Sequence, residues 1–534
     1  MHVNERYVLP RKRKSNPAVE VAWAYPNTYL VGMSGLGYQL IWWLLEQDED
    51  VAVRRVFTDF QEDGWESADL LGFTLSWELD FANIFSLLKT RGVALLTKDR
   101  VDGDPIIFGG GPSLSANPEP FADFFDVVLL GDAEVMIPAL ISKYKDLRAA
   151  NKSRADMLRE LATVDGVYVP SLYQYVLDDP RGAIIEVRPK AAEAPAYVKR
   201  QIFMPPDDYI AHSVVLSPDT SWGNMFLVEV VRSCPQECRF CLASYLTRPF
   251  RGANVETLME RIDLGLQHTK KIGLLGPSVT EHPEFSRIAE ELLKRGGIDI
   301  SVASIRVDTI DPLILKMLVG LGQKSVTIAL ESGSERLRRV MKKNLTEAEY
   351  RSAMSMIAGS GLSGVKLYGI AGLPGETQED IDETVRLLTE TKKAHKQLRI
   401  TFGLSSFVPK AQTPFQWFGR DKEAAHKMEY LRKRLSKIGI EVRPESHNWS
   451  DIQALLSRGD RRLTSVLLDV ADGAANLGAW KRALRKPDDA RPSADFYIWR
   501  NIPTNEVLPW RHLMDDAKYG MLYRHHENAA IVQV

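Results

Sequence analysis

The three cysteines of this chain are the residues whose type and spacing best indicate chemistry. Cys234, Cys238 and Cys241 fall within VVRSCPQECRFCLASYL at a spacing of C-x3-C-x2-C, and the chain has no other cysteine. A structural zinc normally takes four protein ligands, and the nearest histidines, His212 and His268, do not stand at finger-like spacing. A cluster bound by four cysteines is likewise excluded within one chain. The residues therefore predict a cubane iron–sulfur cluster with three cysteine ligands and one open iron.

The elements that must position this loop are strands of a barrel. The cysteines directly follow the apolar run MFLVEVV, and strand-like and helical segments alternate from about residue 225 to 410. Six runs read as strands: MFLVEVV, KIGLLG, DISVASIR, SVTIALES, GVKLYGIAG and LRITFGLSSFV. The pattern predicts a partial (β/α)6 barrel with the cysteine loop at the end of its first strand, where ligands of such barrels bind.

A second alternation occupies residues 18–150. The runs EVAWAYP, VAVRRVF, ADLLGFTL, PIIFGGG and FDVVLLGDAE read as strands, and residues 34–46 and 79–91 have helical spacing. This predicts an α/β fold with a Rossmann-like, flavodoxin-like parallel sheet. Glycines in GGGP (109–112) and GDAE (131–134) follow two strands and would let a ligand approach the backbone, although tight turns explain them equally well.

The chain is expected to form three domains. Residues 1–190 would form the Rossmann-like domain with a trailing hairpin, in which GVYVPSLYQYV and GAIIEVRPK are joined across LDDPRG. Residues 191–420 would form the barrel with a leading linker, and residues 421–534 a helical C-terminal domain with scattered tryptophans.

Composition indicates an ordinary soluble protein located in the cytoplasm. Of 534 residues, 45% are apolar and 26% charged, and the net charge of −2 disfavours a broad nucleic-acid-binding surface. The basic run PRKRKSN near the start is expected to be a solvated, mobile arm. The N-terminus does not read as a signal peptide, and the uncharged stretch 21–45 is interrupted by proline, glycine and polar residues, so we expect no membrane contact. Few cysteines also suit a reducing compartment.

The cysteine motif, with Phe240 as the aromatic residue of C-x3-C-x-aromatic-C, resembles that of the radical S-adenosylmethionine (SAM) superfamily. The resemblance implies that Cys234, Cys238 and Cys241 bind an oxygen-sensitive [4Fe–4S] cluster and that SAM chelates its fourth iron. One electron from the cluster would cleave SAM to methionine and a 5′-deoxyadenosyl radical. An electron donor such as flavodoxin or ferredoxin is the implied partner.

Later strands carry further features of that superfamily, and the resemblance implies that they bind SAM. The implied contacts are Phe240, Gly276, Pro277, Ser278, Ser304, Arg306, Glu331, Ser332, Gly372 and Leu373. One departure is that LLGPSV replaces the commoner Gly-Gly-Glu motif, so that the backbone rather than a glutamate is expected to bind the SAM amine.

The N-terminal domain resembles the cobalamin-binding domain of class B radical SAM methylases. The residues implied to contact cobalamin are Thr74, Ser76, Gly109, Gly110, Gly111, Gly131 and Glu134. The cobalamin signature Asp-x-His-x-x-Gly supplies a histidine below the cobalt, yet no histidine occurs from residue 3 to 211, so cobalamin would bind without a histidine ligand. The alternative is a degenerate domain that supports the barrel or receives substrate.

Together these features predict a radical SAM enzyme that functionalises an unactivated carbon, with cobalamin-dependent methyl transfer as its elaboration. Nearly the whole chain resembles an uncharacterised bacterial family of such proteins. The alternative is an iron–sulfur redox sensor, or a protein that binds RNA or another partner through the basic arm or the helical tail. The sequence predicts neither substrate nor catalytic residues; Tyr368, His282 and Trp510 are more often packing residues.

Overall fold

The N-terminal region is built on a six-stranded sheet. The computed structural model describes residues 3–12, 14–473 and 475–532. The elements of this region are β1 (Arg6–Tyr7), β2 (Val19–Ala24), α1 (Tyr29–Gly32), α2 (Leu36–Gln47), β3 (Val51–Val56), β4 (Leu70–Thr74), α3 (Phe81–Arg91), β5 (Ile106–Gly110), α4 (Pro112–Ala116), β6 (Val127–Leu129), α5 (Ala133–Ala149), α6 (Arg154–Leu161) and β7 (Val167–Tyr168).

The sheet has the predicted flavodoxin-like order. Its strands run β3-β2-β4-β5-β6-β7; the first five are parallel and β7 is antiparallel. These strands are apolar along nearly their whole length because helices cover both faces, as in β4, where every residue is buried. The order reverses between β2 and β4, and in such sheets ligands bind beyond the carboxyl ends of the strands at this switch point.

A hairpin and a linker lead to the second sheet. The predicted hairpin forms from β8 (Tyr173–Leu177) and β9 (Ile184–Pro189), which pair antiparallel. The linker ends in β10 (Val215–Leu216), which pairs with β1 and so ties the start of the chain to the entrance of the barrel.

The barrel forms as predicted, with one additional strand. Its elements are β11 (Phe226–Glu229), β12 (Val231–Arg232), α7 (Leu242–Leu246), β13 (Arg251–Gly252), α8 (Val255–Leu266), β14 (Lys271–Leu275), α9 (Phe285–Arg295), β15 (Asp299–Val302), β16 (Ser304–Ile305), α10 (Pro312–Gly320), β17 (Ser325–Glu331), α11 (Glu335–Val340), α12 (Glu347–Gly359), β18 (Gly364–Ala371), α13 (Gln378–Ala394), β19 (Arg399–Ser406), α14 (Ala424–Ser436) and β20 (Glu441–Pro444). The parallel orders are β11-β14-β15 and β16-β17-β18-β19-β20, and one residue separates β15 from β16.

The segment after residue 420, predicted to be helical, also contains a strand, β20. This strand pairs parallel with β19 at the open edge of the barrel sheet. Its sequence, EVRP, is largely exposed and lacks an apolar pattern. Charged residues and proline are typical of an edge strand, which is why the segment does not read as a strand in the sequence.

The C-terminal helices pack against the N-terminal sheet. They are α15 (His447–Arg458), α16 (Thr464–Asp472), α17 (Leu477–Arg485), α18 (Ala494–Ile498) and α19 (Asp516–Val532). Trp480 and Trp510 lie in one hydrophobic core with Phe81 and Phe121, so the segment expected to be a separate domain shares its core with the N-terminal region. Among the described residues, no helix combines the length and apolar composition needed to cross a membrane.

Candidate functional site

The cysteines lie on a loop that is closed at its base by a short ribbon. Strands β12 and β13 pair antiparallel, with Arg232 opposite Arg251, and the intervening residues 233–250 form what we call the cysteine loop. Ser233 and Glu237 have positive φ angles of 72° and 49°, which allows the loop to turn tightly. Its three cysteines form no disulfide. The ribbon therefore holds the loop at the carboxyl end of the first barrel strand.

Backbone contacts fix the loop to the later part of the barrel. The Arg239 amide donates to the Met341 carbonyl at 2.9 Å, and Arg239 Nη1 donates to the Val340 carbonyl at 2.6 Å. Phe240 packs against a buried cluster that includes Leu337 and Leu373. Two of the residues implied to contact SAM, Phe240 and Leu373, are thus brought together around an apolar floor.

The cysteine environment fits a cluster better than free thiolates. Burial raises the pKa of Cys238 to about 12, although Lys343 lies close enough to oppose this, and burial also raises the pKa of Cys234. Without metal these thiols stay protonated, and metal binding would release their protons. Within the described ranges, no three His, Cys, Asp or Glu side chains converge on a point that could hold a single metal ion. A cubane binds each cysteine through a different iron, so its ligands need not converge.

A half-buried carboxylate that the sequence analysis missed lies beside the first cysteine. Glu281 ends the 3₁₀ turn Val279–Glu281, and its Oε2 atom is 3.8 Å from Cys234 Sγ. Ser278 Oγ donates to the same oxygen at 3.1 Å, and the Arg306 guanidinium lies 3.4 Å from Oε1. Glu281 lies five positions after Gly276, outside the expected three-residue motif. Its signal in the sequence is that it is the first carboxylate after β14.

Gly276 allows β14 to approach the base of the cysteine loop. Its φ is 155°, and a Cβ atom there would lie only 2.7 Å from the Val231 carbonyl oxygen. No larger residue fits between β14 and β12 without moving one of them. Gly276 therefore brings Pro277, Ser278 and Glu281 next to the cysteines.

The third and fourth barrel strands contribute two ion pairs, of which the second is buried. Arg306 donates to both Asp308 oxygens, at 3.0 and 2.6 Å, as well as facing Glu281. Glu331 Oε1 lies 3.1 Å from Lys343 Nζ, and both side chains are less than 10% exposed. The structure thus places Arg306 and Glu331 near the cysteines, already engaged with protein partners.

The two serines of these strands differ in role. Ser332 Oγ accepts a hydrogen bond from the Ser334 amide at 3.1 Å, which makes it part of a turn. Ser304 lies in β16, paired in register with Thr327, and is half-buried.

The fifth strand ends in a loop held by a second buried glutamate. The Gly372 amide donates to Glu376 Oε2 at 2.6 Å, and Lys427 Nζ lies 3.3 Å from that oxygen. Burial raises the pKa of Glu376 to about 7 in spite of Lys427. Gly372 has φ 78°, and a Cβ atom there would lie 2.7 Å from the Ala424 side chain. The loop is therefore pinned from both sides.

One group of the residues implied to contact cobalamin meets at the switch-point edge. The Leu75 amide donates to the Gly110 carbonyl at 2.9 Å, and a Cβ atom on Gly111 would lie 3.1 Å from Thr74 Oγ1. Ser76 and Trp77 follow at the surface, with Trp77 46% exposed. Thr74, Ser76 and Gly109–Gly111 thus line one edge at the carboxyl ends of β4 and β5.

Gly131 and Glu134 lie after the end of β6 and contact the linker and the base of the cysteine loop. Gly131 forms a parallel bridge with Gln201, and a Cβ atom there would lie 2.9 Å from the Gln201 amide nitrogen. Glu134 accepts from Arg232 Nη2 at 2.7 Å and from the Tyr209 hydroxyl at 3.2 Å. Both residues join the N-terminal sheet to the linker and to the base of the cysteine loop.

The loop after β2 has the spacing of the cobalamin signature with other residues. Asn27, Tyr29 and Gly32 stand where that signature has Asp, His and Gly. Tyr29 is fully buried, and its hydroxyl donates to Glu5 Oε1 at 2.7 Å. Leu30 and Val31 are exposed instead, by 47% and 38%. The residue at the histidine position thus points into the protein core and cannot serve as a metal ligand.

The basic run near the N-terminus is not the mobile arm that the sequence suggested. Arg11 Nε lies 3.1 Å from Glu46 Oε1, and its guanidinium packs over the Trp42 ring. Lys14 Nζ donates to the Glu46 carbonyl at 2.7 Å. The buried carboxylate of Glu46, distant in sequence, thus anchors Arg11. Arg13 of the same run lies outside the described residues.

Comparisons with known proteins agree with the barrel motif. Residues 61–170 match the family described as "Radical SAM proteins, N-terminal", and residues 228–388 match "Radical SAM superfamily". An uncharacterised protein of Methanocaldococcus jannaschii is 29% identical over 90% of this chain and 98% of its own length. An uncharacterised methyltransferase of Pyrococcus horikoshii is 25% identical over 62% and 66% of the two chains. A threonylcarbamoyladenosine tRNA methylthiotransferase of Aquifex aeolicus is 24% identical over 48% and 64%.

Two solved structures resemble the fold at low sequence identity. The radical SAM methyltransferase TsrM from Kitasatospora setae matches 72% of this chain and 75% of its own with a TM-score of 0.49 and 12% identity. The cobalamin-dependent SAM radical enzyme OxsB matches 87% of this chain and 70% of its own with a TM-score of 0.47 and 12% identity. From the two family matches and the cysteine motif, the chain belongs to the radical SAM superfamily and is an enzyme of that superfamily.

Proposed function

We propose that this enzyme uses a [4Fe–4S] cluster on Cys234, Cys238 and Cys241 to cleave SAM reductively and functionalise an unactivated carbon, with cobalamin-dependent methyl transfer as the favoured elaboration. The observation that carries the proposal is the cysteine loop itself. It offers three free thiols, the chain has no fourth cysteine, and a polar pocket lies beside the first of the three.

The residues around the loop suit a charged, zwitterionic cofactor. When bound, the cluster supplies the electron that divides SAM into methionine and a 5′-deoxyadenosyl radical. Glu281 offers a carboxylate to the SAM ammonium group, and Arg306 orients that carboxylate through their 3.4 Å contact. The apolar cluster around Phe240, Leu337 and Leu373 excludes water from one side of the loop.

The N-terminal edge suits cobalamin through contact surface but not through a metal ligand. Thr74 and Gly109–Gly111 form a close-packed edge at the switch point, and Leu30, Val31 and Trp77 expose apolar surface there. Tyr29 is buried at the histidine position. A corrinoid would therefore be held through contacts between the protein and the corrin ring and its substituents, without a protein ligand to the cobalt. The name of the Pyrococcus relative, a methyltransferase, supports methyl transfer.

The proposal is tested by anaerobic reconstitution with iron and sulfide, followed by dithionite and SAM. We expect stoichiometric or catalytic 5′-deoxyadenosine, together with the iron and sulfide content of one cubane per chain. A protein that binds a full [4Fe–4S] cluster and SAM but forms no 5′-deoxyadenosine would contradict reductive cleavage. Reconstitution with hydroxocobalamin decides the elaboration: retained corrinoid after gel filtration supports methyl transfer, and its complete loss removes cobalamin from the proposal.

A further inference from the structure

A cleft separates the two parallel sheets next to the cysteine loop. Its volume is about 360 Å³. It is lined by the start of α2, the residues after β6, Ala211 of the linker, the ends of β11 and β14, the base of the cysteine loop, and the segment around α7. Both sheets therefore turn their carboxyl ends toward this space, which is where ligands of such sheets bind.

The carboxylates that line the cleft are all paired with arginines. Arg232 donates to Glu134 at 2.7 Å and to Glu229 at 2.7 Å. Asp132 is paired with Arg251 at 2.5 Å and lies 3.9 Å from Arg200. The wall itself thus carries three carboxylates and Arg232, and Arg251 and Arg200 behind it lie against Asp132, so each of the three carboxylates has an arginine partner. A charged ligand group would have to displace one of these buried pairs, which is costly.

The rest of the wall is apolar. The side chains that face the space from α2 and from the barrel are Leu36, Leu40, Ile41, Ala211, Val231, Ala243 and Leu275. Leu36 and Leu40 also contact the barrel side chains Leu227 and Leu275 in a small hydrophobic cluster, so the helix and the barrel form a continuous surface. The cleft equals the volume of about a dozen water molecules, which suits a single ring or a short branched chain.

One polar group in this wall has no partner. Ser233 lines the cleft and is only 1% exposed, and in the described part of the chain its hydroxyl makes no hydrogen bond. An unsatisfied buried hydroxyl is unfavourable unless a ligand or water pairs with it. Since Ser233 directly precedes Cys234, a ligand bonded to it would lie beside the cluster loop.

We propose that this cleft binds the reacting part of the substrate, and that this part is an uncharged, mainly apolar ring or branched chain with one hydrogen-bonding group directed at Ser233. The identity of the occupant as substrate rests on the proposed radical SAM function. The existence of an uncharged binding site does not, because binding can be measured without turnover.

Binding is measured on the full-length reconstituted protein by ligand-observed NMR with three matched probes: cyclohexanol, methylcyclohexane and cyclohexanecarboxylate. We expect cyclohexanol to bind at least tenfold more tightly than the carboxylate. Ser233→Ala should weaken the binding of cyclohexanol by about five- to tenfold, which is the value of one hydrogen bond. It should leave the affinity for methylcyclohexane unchanged. Equal binding of the carboxylate, or an unchanged cyclohexanol affinity in Ser233→Ala, overturns the proposal.

Gly37 provides a filling variant that should still fold. It lies in the first turn of α2 and lines the cleft, and a Cβ atom there meets nothing within 4 Å. Gly37→Leu should therefore occupy the cleft, improve helix propensity and abolish binding of all three probes. Gly359→Leu is the matched control, since Gly359 is also helical with open space at its Cβ position. If Gly37→Leu bound the probes with wild-type affinity, the assignment of the cleft as their binding site would be wrong.

Perdeuterated cyclohexanol tests whether the cleft is the substrate site. Under turnover with SAM and dithionite, a C–D bond of the probe would break and its deuterium would pass to the 5′ carbon. The remaining carbon radical would take one electron from dithionite and one proton from solvent, which restores the alcohol. The proposal is supported if 5′-deoxyadenosine formed by the wild-type enzyme contains deuterium and that formed by Gly37→Leu does not. It is overturned if the wild-type enzyme forms only unlabelled 5′-deoxyadenosine at a saturating concentration of the probe. Absence of any 5′-deoxyadenosine instead contradicts the proposed function, while the binding measurements still decide the cleft.

Discussion

The two parallel sheets of this enzyme expose different chemistry at equivalent edges. The barrel edge carries cysteines and buried ion pairs such as Glu331–Lys343. The edge of the N-terminal sheet carries glycines and exposed apolar side chains, among them Leu30 and Trp77. The ligating and charged residues at the barrel edge indicate the chemistry of the group that binds there. The close-packed glycines and apolar surface of the N-terminal edge indicate only the shape of a ligand. The barrel edge can therefore be interpreted from residue types, and the N-terminal edge cannot.

The largest expected effect comes from removing one cysteine ligand. Cys238→Ser replaces a buried sulfur by oxygen, which is a poor ligand for iron in a cubane. We expect loss of the [4Fe–4S] absorption and a decrease in 5′-deoxyadenosine formation of at least about a thousandfold, because no other cysteine of the chain can substitute. Iron analysis and product chromatography measure both.

The matched control for this variant is Ser244→Ala, a nearby buried position that is not a proposed ligand. It should retain the cluster. If Cys238→Ser kept a full cubane and wild-type turnover, the three-cysteine assignment would fail, and with it the contrast between the two edges.

Glu376 should make the barrel edge sensitive to pH. Its pKa is raised to about 7 from a usual value of 4.5, so the folded chain holds the proton to higher pH than the unfolded chain. Its contribution to stability is therefore complete below pH 4.5 and is lost as the pH rises toward 7. At about 1.4 kcal/mol per pKa unit, the loss is about 3–4 kcal/mol.

Glu376→Gln keeps an acceptor for the Gly372 amide and cannot ionise. The variant should match wild type near pH 4.5 and be more stable at pH 8, as followed by thermal unfolding across that range. Glu379→Gln, on the exposed first turn of α13, is the control and should not change the pH profile between 4.5 and 7. If the unfolding temperatures of wild type and Glu376→Gln changed in parallel across this pH range, Glu376 would be ionised throughout and the prediction would be wrong.

Glu281 tests whether the barrel edge binds a cation. Glu281→Gln keeps the shape of the side chain but removes its charge beside Cys234. We expect SAM to bind about tenfold more weakly, the value of one charge-assisted hydrogen bond, with the cluster content unchanged. Equilibrium dialysis measures this, and Glu284→Gln at the exposed N-cap of α9 is the control. If the affinity for SAM were unchanged, the ammonium group of SAM would be bound by the backbone of the Gly276 segment rather than by Glu281.

The sequence was informative where local pattern decides structure. The barrel strands and the N-terminal sheet were predicted because buried parallel strands are nearly continuous apolar runs, and the cysteine loop because its ligands are adjacent in the chain. Glu281 was missed because it lies outside the expected motif. The folded basic run was missed because Glu46, which anchors it, lies 35 residues from Arg11.

The roles of Gly131 and Glu134 depend on residues still further away. A glycine after a strand fits a ligand site or a close backbone approach equally well, and only the position of Gln201 distinguishes them. The partner of Glu134, Arg232, lies 98 residues along the chain. Pattern alone cannot assign such contacts, because they depend on how the two sheets face one another.

Glu134 gives the smallest expected effect and the sharpest test between the two edges. Glu134 ties the N-terminal sheet to the base of the cysteine loop, and Glu134→Gln would leave Arg232 paired with Glu229 at 2.7 Å and with Asp132 at 3.7 Å. We expect the cluster to be lost to a chelator about three- to tenfold faster, as one charged contact is weakened, while hydroxocobalamin retention stays the same. Glu186→Gln, on the exposed hairpin, should change neither. The opposite result, normal cluster retention with loss of corrinoid, would return Glu134 to the cobalamin edge, because its carboxylate would then be needed by the ligand rather than by Arg232.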